Sequence, residues 1–173
     1  TGPWIVAHSG LTDMSDYYLT LNDATGEASA RWGTSPTSTV FGMTPSLFGQ
    51  GDFIAYCWAE TPGVSSFGEY SGGTSNKQID CGFEPAFVMI KCYSEDGQNW
   101  NIHDSVRNPA NPRDLVIYAN QSDAESGGSV FNIDFTSTGF TLVTGNNSHN
   151  AGGKSYIYAA FAGPVDIDVL SVD

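Results

Sequence analysis

The sequence is short of positive charge: six Lys and Arg stand against nineteen Asp and Glu, a formal net charge of −13 spread along the chain rather than gathered in a tail. Nucleic-acid affinity comes largely from cationic side chains that displace phosphate counterions, so a DNA or RNA partner is excluded, and anionic membrane surfaces are excluded with it. A neutral glycan, a metal-bridged glycan or another subunit remains compatible with that charge. Cysteine is scarce too. Cys57, Cys81 and Cys92 form no C-x-x-C pair, and an odd number argues against a complete disulfide framework. Each lies beside apolar residues, so all three are expected to be reduced and buried as small hydrophobes, as suits folding in a reducing compartment. No apolar run approaches the length needed to span a membrane, so no membrane insertion is expected. The opening Thr1-Gly2-Pro3 carries no signal-peptide pattern and reads as the start of a processed or excerpted chain.

Long helical periodicity is also missing. Twenty glycines and eight prolines leave apolar runs of strand length between turn signals such as Asp96-Gly97, Thr25-Gly26, Gly72-Gly73 and Gly127-Gly128. Strands are predicted at 4–8, 17–22, 53–59, 67–70, 86–93, 100–103, 115–118, 129–135, 139–144 and 155–162, with 165–172 as a final strand or a linker. The near-continuous apolar run at 53–58 predicts a central strand, whereas 130–135 and 140–144 alternate and predict half-exposed ones. Residues 54–60 (IAYCWAE) echo residues 157–163 (IYAAFAG). Aromatic residues make up 13% of the chain, enough to fill a core. The whole of 1–173 therefore reads as one all-β domain, an antiparallel sandwich of meander or jelly-roll type with about ten short strands and minimal helix.

Catalytic patterns are weak. His103-Asp104-Ser105 contains the residue types of a hydrolytic triad, but neighbours on a strand point to opposite faces, and no G-x-S-x-G elbow occurs. A polysaccharide depolymerase needs two facing carboxylates, and the acids here, among them Glu95, Asp96, Asp104 and Asp114, fall mostly in turns. Residues 94–98 (SEDGQ) and 123–127 (DAESG) are calcium candidates without EF-hand spacing and read as ordinary turns. His8, His103 and His149 lie too far apart in sequence for a zinc pattern, so neither metal nor cofactor is expected.

Reversible binding is better represented. Aromatic rings stack on the C–H faces of sugars while polar neighbours bond the hydroxyls. Tyr56 and Trp58 are assigned to the core. Trp100, within the polar run Asn99-Trp100-Asn101, and Tyr93, just before a turn, are better placed for exposure, with burial in the sandwich or a subunit interface as the default for both. The candidate ligand-binding set is Tyr93, Asn99, Trp100, Asn101 and His103, and no residue is assigned a catalytic role.

Read in order, Trp4-Ile5-Val6 with Gly10-Leu11, YYLTLN at 17–22, FIAYCWAE at 53–60, GFEPAFVMIK at 82–91, NWNIHD at 99–104, STGFTL at 137–142 and AGGKSYIYAAFA at 151–162 resemble a domain of cyanophages and other marine phages. It is found there in tail-fibre-like and virion-surface proteins. The resemblance runs from about residue 4 to residue 163. It implies a protein of the phage particle, assembled in the host cytoplasm, with other virion proteins and a host surface glycan or protein as partners. A homotrimeric tail-fibre module for host adsorption is the leading expectation, a capsid-decorating or head-fibre protein the alternative, and a depolymerase the outsider.

Overall fold

The computed structural model describes residues 2–29, 36–42, 44, 51–143 and 145–164. Its strands are β1 (Ile5–Val6), β2 (Tyr17–Thr20), β3 (Ala28–Ser29), β4 (Ser65–Ser71), β5 (Lys77–Asp80), β6 (Pro85–Cys92), β7 (Asn101–Asp104), β8 (Leu115–Tyr118), β9 (Ser126–Gly127), β10 (Ile133–Thr136), β11 (Gly139–Leu142) and β12 (Ser155–Ala162). Among the described residues the one helical element is a 3-10 turn at Ser129–Phe131. All strand pairs are antiparallel, so the chain is all-β as predicted.

Three sheets result, ordered β4-β12-β6-β7-β8-β9, β10-β11-β5 and β1-β2-β3. The longest strands, β6 (PAFVMIKC) and β12 (SYIYAAFA), are rich in aromatic and β-branched residues and pair along nearly their full length at the centre of the six-stranded sheet. Alternation divides their side chains between two faces. Tyr156, Tyr158 and Ala160 stand opposite Cys92, Ile90 and Val88, and this inner face meets Ile79, Ile133, Phe135, Phe140 and Leu142 of the β10-β11-β5 sheet in the larger core. Tyr70 stacks on Tyr156 with ring centroids 5.0 Å apart, and Phe140 meets Tyr158 edge-on at 5.4 Å.

The other face is covered as well. Ile157 of β12 packs with Leu19 of β2, Leu11 and Trp100 in a second core that Val6, Tyr17, Met89 and Tyr93 flank. The sandwich therefore gains a third layer: β1-β2-β3 lies on the outer face of the six-stranded sheet, near the end where β6 leaves and β12 enters.

Several expectations need correction. Residues 53–59 form no strand, and Tyr56 and Trp58 are exposed rather than core. The chain meets β4 there only through the isolated Thr61–Ser65 bridge, and the Ser65 hydroxyl donates to the Ala59 carbonyl at 3.0 Å. Cys57, on that segment, is consequently exposed, while Cys92 is buried, Cys81 is half-buried, and all three thiols are free. Burial, with Asp80 and Glu60 nearby, pushes the Cys81 thiol up to about 11. The strand predicted at 129–135 begins only after the 3-10 turn, and β3, β5 and β9 were not foreseen. The predicted element at 165–172 lies outside the described residues.

Candidate functional site

The run from Asn99 to His103 is a structural clasp. Trp100 is only 4% exposed, its indole N–H donates to the Thr20 carbonyl at 3.0 Å, and its backbone N–H donates to Asn120 Oδ1 at 3.0 Å. Asn99 Oδ1 accepts from the Asn120 amide at 2.8 Å. Asn101 is fully buried and donates to the carbonyls of Asn99 and Ser148. His103 shares the inner face with Asn101, opposite Val88. Burial, with His149 and Arg107 nearby, lowers its pKa to about 3, so the ring is neutral. Of the predicted ligand-binding set, Trp100, Asn101 and His103 are thus packed inside, and no stacking face of Trp100 is presented to solvent.

Tyr93 is placed differently. It follows β6 and lines a shallow surface cleft of about 380 Å³ with Tyr17, Gly26, Glu27, Ser94, Glu95 and Asp96. Two loops build its walls. One is the β6–β7 turn, where Gly97 takes a φ of 78°, a left-handed conformation that suits glycine. The other is the segment before β3, tied to the first by the Glu27 N–H on the Tyr93 carbonyl at 2.8 Å and by the Gly26 N–H on Asp96 Oδ1 at 2.8 Å. Gly26 needs to be glycine, because a Cβ there would stand 2.8 Å from the Tyr93 carbonyl oxygen.

Beneath the cleft, fully buried Lys91 donates from its ammonium to the Ala24 carbonyl at 3.0 Å and to the Gln98 carbonyl, fastening both loops to β6. Burial lowers its pKa to about 8. The carboxylates at the rim are engaged in turn: Glu27 accepts from the N–H and hydroxyl of Thr12, and Glu95 pairs with Lys154 at 2.6 Å. The Tyr93 hydroxyl donates to Glu69 at 3.4 Å, and burial raises its pKa, so it stays a neutral donor. The cleft brings together two tyrosines, Ser94 and the carboxylate residues Glu27, Glu95 and Asp96, a polar lining that suits a ligand rich in hydroxyl donors.

Tyr93 is the one member of the predicted set that lines this cleft. Tyr17, Gly26 and Glu27 were missed because they join it through contacts distant in sequence, although the turn signals Thr25-Gly26 and Asp96-Gly97 mark both walls. A second shallow cleft, about 390 Å³, lies at the opposite end of β6 and β12 and is lined by Phe83, Pro85 and Ala162 among others. Asp104 and His103 fall on opposite faces of β7. Burial pushes the Asp104 carboxyl up, but the backbone N–H and guanidinium of Arg107, the latter at 2.5 Å, outweigh it and hold the group below its usual range. Among the described residues no group of three or more His, Cys, Asp or Glu side chains is arranged to hold a metal ion, and no helix is long and apolar enough to cross a membrane.

Fold and site together define an all-β, layered domain with a shallow polar cleft built from turns. The chain belongs to the DUF7483 family, a domain of unknown function whose model matches residues 1–164. No curated protein and no solved structure matches it.

Proposed function

We propose that this domain is a binding module of a phage virion appendage, of tail-fibre type, that holds a neutral surface glycan of the host in the Tyr93 cleft without cleaving it. The observation that carries the reading is the cleft itself: Tyr17 of β2 and Tyr93 beside Ser94 and three carboxylates, the last four on loops fixed from below by Lys91. Tyrosine rings offer faces for sugar C–H groups, and acceptor oxygens take hydroxyl protons. A net charge of −13 disfavours anionic polymers and leaves neutral ones free to approach. Loops are also where sequence varies most freely while the sheets keep their packing, as host-range change demands. The placement on a virion rests on the ordered motifs between residues 4 and 163 that resemble those of phage surface proteins.

The test incubates the purified chain with host envelope polysaccharide and measures retention and release of reducing ends, then repeats both with Tyr17→Ala and Asp96→Asn. Retention without new reducing ends, weakened by either substitution in a folded protein, supports the reading. New reducing ends would replace it with a depolymerase, and no retention with a structural module.

A further inference from the structure

We infer that Asp96 is the specificity-determining residue of the Tyr93 cleft, and that it selects a glycan unit with a free hydroxyl over one whose hydroxyl is O-methylated or O-acylated. This assignment rests on the cleft reading above. Most polar groups of the cleft are already committed. Glu27 is half-buried, and each of its carboxylate oxygens accepts from Thr12, one from the N–H at 3.0 Å and the other from the hydroxyl. Glu95 Oε1 is held by the Lys154 ammonium at 2.6 Å, and its Oε2 is buried. The Tyr93 hydroxyl is given to Glu69, and the Ser94 hydroxyl oxygen accepts from the Ser155 N–H at 2.9 Å. Asp96 differs from all of these. It is exposed, and among the described residues its Oδ2 accepts no hydrogen bond, which makes it the most open acceptor of the cleft.

The other oxygen holds the carboxylate in place. Asp96 Oδ1 accepts from the Gly26 N–H of the facing wall at 2.8 Å, so the group is tied between the two loops while Oδ2 stays available. Lys91, buried beneath, lies within electrostatic reach of both Asp96 and Asp23, and its ammonium balances part of the carboxylate charge from inside. A neutral hydroxyl donor therefore suits Asp96 better than an ammonium group does. An ionised carboxylate accepts hydrogen bonds and never donates them. An ether or ester oxygen placed against it has no proton to give and sets lone pair against lone pair. Bonds to a charged acceptor are roughly twice as strong as neutral ones, so this contact decides between ligands of otherwise similar shape. A site that bonds a hydroxyl discriminates more sharply against its loss than an apolar pocket discriminates by size.

Calorimetric titration of the intact chain with fragments of host envelope polysaccharide, native and O-methylated, tests this. Methylation removes hydroxyl protons and keeps the C–H faces for the tyrosine rings. It should weaken binding to the parent by at least about tenfold, as loss of a charge-assisted bond does. Asp96→Asn retains an Oδ1 acceptor for the Gly26 N–H and puts an amide donor in the place of Oδ2. It should bind native fragments at least about tenfold more weakly than the parent and lose most of the preference for native over methylated ones. Glu27→Gln and Glu95→Gln, at whatever affinity they bind, should keep the parent's preference, because Asp96 remains. A parent that binds both kinds of fragment equally, a preference that survives Asp96→Asn, or one abolished instead by Glu27→Gln or Glu95→Gln would each overturn the assignment and leave the cleft a glycan site. No binding by the parent would remove the cleft reading and this assignment with it.

Discussion

His103 sits on the inner face of β7 with its Nδ1 buried and without a hydrogen-bond partner, and burial holds its pKa near 3. In an unfolded chain the ring takes its proton near pH 6.5. Between these values the unfolded state binds a proton that the folded state refuses, so stability falls as pH drops through 6.5 toward 3. His8, lowered mainly by burial, acts in the same direction. Each such histidine removes up to about 1.4 kcal/mol per pH unit across its window. Urea unfolding from pH 7 to 4.5 should therefore show a steeper loss in the parent than in His103→Gln. Equal slopes would mean that His103 is accessible to protons in the folded state. Trp100 acts through packing: Trp100→Ala should cost about 3–5 kcal/mol, the usual range for a buried aromatic. Ligand retention by the fraction that remains folded should be unchanged, as measured by pull-down at low temperature. The flanking asparagines made Trp100 a better candidate for exposure than Tyr56 or Trp58, with burial still the default, and in the fold the amides of Asn99 and Asn101 bond neighbouring segments and help close the packing around the indole.

At the level of elements, β8 and β12 were legible to the residue, because turn residues bound short runs of β-branched and aromatic side chains. β5 (KQID) was not: it has a single large apolar residue, Ile79, and joins its sheet by pairing with β11. The two-residue strands β3 and β9 are too short to leave a pattern. Residues 53–59 misled for the opposite reason. Their composition matches β12, and apolar pattern alone does not say which of two similar segments takes the central place, which β12 holds between β4 and β6. Of the cleft, Tyr93 and its turn were visible in sequence, whereas the facing wall depends on pairing across a long loop. Close backbone approach offers another test. A Cβ at Gly139 would stand 2.0 Å from the Ile79 carbonyl oxygen and 3.0 Å from the Cys81 nitrogen, both on backbone that has little room to yield. Gly139→Ala should therefore separate β11 from β5 and cost more than about 2 kcal/mol, as strain on packed backbone does. A thermal midpoint within error of the parent's would contradict the described pairing.

Across the whole molecule, three sheets divide the work. The six-stranded sheet is the frame, the β10-β11-β5 sheet closes the larger core, and β1-β2-β3 covers the outer face. That third layer places Tyr17, Gly26 and Glu27 beside Tyr93, so the cleft exists only because two sheets meet there. With a net charge of −13, binding at such a surface should change little with added salt if the ligand is neutral, and strengthen with salt if it is anionic, since screening relieves repulsion. Retention at low and high ionic strength distinguishes these outcomes. The most direct measurement is a residue-resolved nuclear magnetic resonance titration of the chain with fragments of host envelope polysaccharide. Saturable shifts are expected at the backbone amides of Gly26, Glu27, Ser94 and Asp96, with Asn101 and His103 unmoved and the fragments recovered intact. Shifts centred on β7, no saturable shifts in the cleft, or cleavage of the fragments would contradict it.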